Sequence, residues 1–140
     1  MPIREIRFTV WQFVRLMVHL EERRDAQQNN TQLGPRADEA ALWAAWAGVW
    51  TPLDQELARL AESDAAAYAD MMMNQDVVIE DVPAALAATA KAALEAVMAE
   101  MDSAIEAATT KTDGDEDLLD SLKFERRELR QLTRKLGRQV

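Results

Sequence analysis

The chain has 140 residues, a formal net charge of −9, four glycines, four prolines and no cysteine. That length can bury a core without covalent staples, and the missing cysteines exclude disulfides and thiolate metal sites. The longest strongly apolar run, residues 40–50, falls far short of the roughly 20 residues needed to cross a bilayer, so a soluble, cytoplasmic protein with no membrane partner is expected.

Alanine is abundant and aromatic residues are few, a helix-former's composition. Arg4 and Arg7 precede an apolar stretch, as in a signal peptide, but Gln12 and Arg15 interrupt it and no small-residue cleavage site follows. The charge is unevenly spread: residues 1–27 sum to +1, residues 28–117 to −14 and residues 118–140 to +4. The acidic middle repels nucleic acid and anionic membrane, whereas the basic tail attracts either, or pairs with the middle.

In chain order, Ile3, Ile6, Val10, Phe13, Met17 and Leu20 recur at three-four spacing and predict a first helix over about residues 2–27. Ile6, Phe8 and Val10 also alternate as a strand would, with fewer matches. Arg4, Glu5, Gln12, Arg15, His19 and Arg23 fall on the opposite, polar face. Residues 27–35 are polar, end in Gly34-Pro35 and predict a loop.

Asp38 is placed to cap a second helix over about 38–74. Trp43, Trp46, Trp50, Leu53, Leu57 and Leu60 lie along one side of it, in a register that continues through Pro52. Continuity favours a helix kinked near Pro52, with Gly48 four residues earlier to relax the clash; the alternative starts a new helix at Thr51-Pro52. Unbroken, this helix is about 55 Å long at ~1.5 Å per residue. Its stripe weakens at Asp64.

Gln75 to Asp81 is β-branched and aperiodic, which predicts an extended connection; a strand there has no evident partner. Asp81 is read as the cap of a third helix over about 82–109. Its seam of Ala87, Ala90, Leu94, Val97, Met101, Ala104 and Ala108 is small-sided and is expected to receive the tryptophan face of the second helix. Residues 111–117 form a further loop. Counted from Asp113, an EF-hand needs glycine sixth and glutamate twelfth, and the chain has Leu118 and Phe124 there. A fourth helix, about 117–136, carries Leu118, Leu122, Leu129, Leu132 and Leu136. Lys123, Arg127, Arg130, Arg134 and Arg138 share another side of it, within about 80° at ~100° per residue.

These elements predict an all-α fold, an up-and-down antiparallel four-helix bundle forming one domain over 1–140, elongated around its long second helix. The catalytic inventory is thin. His19 is the one histidine, and nothing around Ser63, Ser103 or Ser121 resembles a nucleophile elbow. Leu16 stands where a di-iron Glu-x-x-His motif needs glutamate, and the dispersed glycines build no phosphate loop. The expectation is therefore not an enzyme and no cofactor or metal, but a non-catalytic helical interaction protein that binds a protein partner or itself as a homo-oligomer. Two alternatives stand beside it. One is nucleic-acid association through Lys123, Arg127, Arg130, Arg134 and Arg138; the other is a small-ligand pocket lined by Trp43, Trp46 and Trp50.

Overall fold

The computed structural model describes residues 3–29, 37–110 and 116–139. In chain order these form β1 (Ile3–Thr9), α1 (Val10–Asn29), α2 (Ala37–Ser63), α3 (Ala65–Asn74), β2 (Asp76–Val82), α4 (Ala84–Thr110) and α5 (Glu116–Gln139). The chain is predominantly helical, as its composition predicts, but among the described residues the expected four helices are five and a two-stranded ribbon is added. No helix among the described residues is long and apolar enough to cross a membrane.

The first correction concerns the helix expected over 2–27, whose opening residues are a strand. β1 pairs antiparallel with β2, with Ile6 opposite Ile79, Arg7 opposite Val78 and Phe8 opposite Val77. The segment at 75–81 thus has a partner after all, supplied from about 70 residues away in sequence. Ile6 and Phe8 are buried, while Glu5 and Arg7 between and beside them are exposed, which is the period of a half-buried strand. Phe8, which the helical reading turns outward, is 0% exposed.

A capping box makes the switch from strand to helix. The Thr9 hydroxyl accepts from the Gln12 amide at 3.3 Å while the Gln12 side chain accepts from the Thr9 amide at 2.9 Å. The first helical residue, Val10, donates its amide to the Gln75 carbonyl at 3.0 Å, tying the junction to the start of β2. Asp81 near the other end of β2 has φ 55°. This left-handed residue breaks the strand's alternation, so that Val82 turns into the core at 1% exposure and Asp81 stays in solvent. Asp81 therefore lies in the strand rather than capping the next helix. Pro83 precedes α4 instead, its carbonyl accepting from the Ala87 amide at 3.0 Å.

The second correction concerns the helix expected over 38–74. It runs unbroken through Pro52, so continuity at that residue prevails over a new start, but it breaks at Asp64. There the backbone leaves the helical region (φ −156°, ψ 87°) and the carboxylate caps α3 by accepting from the Ala67 amide at 3.1 Å. Asp64 occupies a seam position of the second helix, and a short acidic side chain favours a cap over a helix interior. Asp38, expected as the cap of the second helix, falls within its first turn. α1 runs past its expected end to Asn29; the remainder of the predicted 27–35 loop lies outside the described residues, as do residues 111–115 of the loop before α5.

Trp46 of α2 meets Phe8 and Phe13, and Trp50 meets Phe13, with ring centroids 5.7–6.2 Å apart, in tilted and edge-on arrangements favoured by aromatic quadrupoles. Ala87, Ala90 and Leu94 of α4 belong to the same core. The expected large-against-small packing is thus only part of the seam: α2 touches both α1 and α4, and its rings find aromatic partners on β1 and α1. α4 and α5 form an antiparallel pair, since Asp102 is bonded to Arg126 near one end while Gly137 lies beside Lys91 near the other. Leu129, Leu132 and Leu136 close the core from α5.

Candidate interaction face and groove

Two surfaces gather polar and apolar side chains in ways that packing alone does not require. The first is the solvent side of α5. Leu129, Leu132 and Leu136 turn that helix's apolar stripe inward, which at ~100° per residue sends Lys123, Arg127, Arg130 and Arg134 outward together. All four are exposed, and none forms an ion pair among the described residues. They extend over about 16 Å of helix at ~1.5 Å per residue. The side chain of Arg138, the fifth predicted member, lies outside the described residues. Arg126, a neighbour on a different side, is spent internally: it hydrogen-bonds Asp102 of α4, and that bond holds its guanidinium above its ordinary pKa.

Two further features of this face matter. Phe124 is 46% exposed beside the cations. Glu116 and Asp120 precede the basic residues on the same side of the helix and are also exposed. The face is thus acidic at its start, basic along the rest, and carries an aromatic ring between.

The second surface is a groove of about 330 Å³ between α1 and α4, lined also by Leu122 and Glu125 of α5 and by Met72 of α3. Its floor is apolar, built from Trp11, Val14, Val97, Met101 and Leu122. Its rim is charged: Arg15 is bonded to Glu125 at 2.8 Å, and His19 lies 3.4 Å from Glu100. His19 is 8% exposed, not the solvated side chain that the polar face of a lone helix implies. Gln12 is likewise buried, because its side chain is occupied in the capping box.

This groove is hidden in the sequence because Val14 and Val18 read there as a broadening of the single apolar stripe on α1, and Trp11 stands outside it. Trp11, Val14 and Val18 make a second at the same three-four spacing, and a helix with two apolar stripes touches neighbours on two sides. The tryptophans singled out in the sequence lie elsewhere. Trp46 and Trp50 are 3% and 4% exposed in the aromatic core. Trp43 is half-buried beneath Arg24, whose guanidinium carbon stands 4.7 Å from the ring centroid, a cation–π contact. None of the three lines the groove. Among the described residues no set of three or more histidines, aspartates or glutamates is placed to hold a metal ion. Comparison with known protein families, curated proteins and solved structures finds no match to this chain.

Proposed function

We propose that this chain is a non-catalytic helical interaction protein that pairs with a second copy of itself through the outer face of α5. The observation that carries the reading is the set of exposed Lys123, Arg127, Arg130 and Arg134, without ion pairs among the described residues, on a chain of net charge −9. An acidic protein surface is the natural complement of such a stripe, and α5 brings part of that complement itself. If two copies of α5 lie antiparallel, Glu116 and Asp120 of one face Arg134 and Arg130 of the other, with the two Phe124 rings near the middle. Lys123 there faces Arg127 in a like-charge contact that the outer pairs and the rings must offset. An interface related by a two-fold axis requires this kind of self-complementary face, and exposed aromatic and arginine side chains are those that dominate binding energy when covered.

Light scattering across protein concentration and ionic strength tests it. A dimer at low salt that dissociates as salt rises is expected. The R130E/R134E chain should be monomeric, and combining it with E116R/D120R should restore the dimer, since the swap rebuilds the charge pairs in reverse. A monomeric mass at every concentration sinks the proposal.

The same stripe supports a second reading, nucleic-acid association. Binding to DNA or RNA that weakens steeply with salt and is lost in K123E/R127E would favour it over self-pairing, because neutralised phosphates release counterions whereas a protein surface releases few.

A further inference from the structure

From the groove between α1 and α4 we infer a binding site for a small lipophilic cation, an apolar body bearing one protonated amine. Three observations converge on that class. Size comes first: about 330 Å³ lies within the range of small-molecule pockets and leaves room for a ring and a short chain. The floor comes second. Trp11 at the base is rigid, while Met72 and Met101 are unbranched and polarizable, and such walls mould themselves to an apolar body of varied shape.

Charge decides the rest. Glu22, Glu100 and Glu125 line the groove against the one guanidinium of Arg15, which Glu125 already engages. Glu22 has no ionic partner among the described residues. Among the described residues Glu100 has only the ring of His19. The rim therefore holds an excess of negative charge over an apolar floor, within a chain whose net charge is also negative. An anionic amphiphile gains the floor and is repelled by the rim; a neutral one gains the floor and nothing at the rim. A protonated amine gains both, and the low-dielectric floor beneath the carboxylates strengthens the attraction relative to bulk water. The lining residue Ala104 is exposed and small, so a bulky side chain placed there would occupy part of the groove.

The site is independent of the α5 face. Leu122 and Glu125 reach the groove from the opposite side of that helix, so a monomer and a dimer bind equally.

The test is a matched pair of probes with one apolar body and opposite charge, 4-phenylbutylamine and 4-phenylbutyrate, titrated calorimetrically at neutral pH and low salt. The amine should saturate at one per chain and bind at least about tenfold more tightly than the acid, a difference of ~1.4 kcal/mol. E22Q/E100Q, at two exposed carboxylates, should bring the two probes within about threefold of each other. Ala104→Trp should remove saturable binding by occupying part of the groove, with helicity and melting checked by circular dichroism. No saturable amine binding, or equal affinity for amine and acid, overturns the inference. So does amine binding that survives in a folded Ala104→Trp chain. If that variant fails to fold, the response of E22Q/E100Q decides.

Discussion

The two ends of the α4–α5 pair are built from the same kind of sequence and have opposite fates. At one end Ala87, Ala90, Leu94, Val97 and Met101 of α4 and Leu129, Leu132 and Leu136 of α5 are all buried, beneath the aromatic cluster of β1, α1 and α2. At the other, no described side chain from 102 to 109 or from 116 to 128 is buried. Leu118 continues the leucine stripe of α5 and is nonetheless 53% exposed. Amphipathic spacing thus states which side of a helix prefers an apolar neighbour; it does not state whether a neighbour reaches that far. The packed end has one because β1 and β2 deliver Phe8, Ile6 and Val82 there. At the open end, none of the described elements covers Leu118 as β1, α1 and α2 cover the packed end.

The largest expected effect tests that contrast directly. Leu129→Ala should cost about 2–5 kcal/mol, for lost burial and the cavity left behind, whereas Leu118→Ala should stay within about 0.5 kcal/mol. Urea denaturation at low protein concentration measures both. Repeating it at high concentration sharpens the comparison. Leu118 lies on the side of α5 opposite the proposed pairing face, so Leu118→Ala should stay near neutral even where the chain pairs. A cost that appears only there would put a second copy on the open end instead.

The helices and most of their inward faces were legible in the sequence, because three-four spacing reports burial through a local period. Met17, Leu20, Trp46, Trp50, Leu94 and Leu129 all sit where the spacing puts them. The basic side of α5 was legible for the same reason. The ribbon was not. Ile6, Phe8 and Val10 fit both a strand and a helix, and the partner that settles the matter is β2, whose own strand character was set aside for want of a partner. Two ambiguous segments far apart in sequence resolve each other only when paired. One local signal did mark the boundary: Thr9-Val10-Trp11-Gln12 is a capping-box pattern directly ahead of an apolar run, and it starts the helix at Val10. The groove stayed hidden because it draws on four helices, and no single period encodes how four come together.

The ribbon's attachment to the packed end supplies the next prediction. Asp81 adopts φ 55°, a conformation that a β-branched residue strongly resists. Asp81→Val should destabilise by about 1–2 kcal/mol, while Asp81→Gly, free to adopt that φ, should melt close to the wild type. If valine were tolerated as well as glycine, the turn that aims Val82 inward would not be what fixes the ribbon to the core.

The smallest effect concerns the ribbon's solvent side, where Glu5 and Glu80 stand directly opposite each other and both are exposed. Like charges at facing antiparallel positions repel, so Glu80→Lys should turn a penalty into an attraction worth about 0.5 kcal/mol. The melting temperature should rise by roughly 2 °C, and the gain should fade as salt screens exposed charges. The modest size follows from the contrast between the two ends. The packed end is held by buried rings and leucines, and surface charge adds little to a region fixed by burial. A gain well above about 1 kcal/mol would reverse that order. It would mean that strand pairing rather than the aromatic cluster limits the stability of the packed end, and the Leu129→Ala and Glu80→Lys effects would then fail to add, because both would act through the docking of one ribbon.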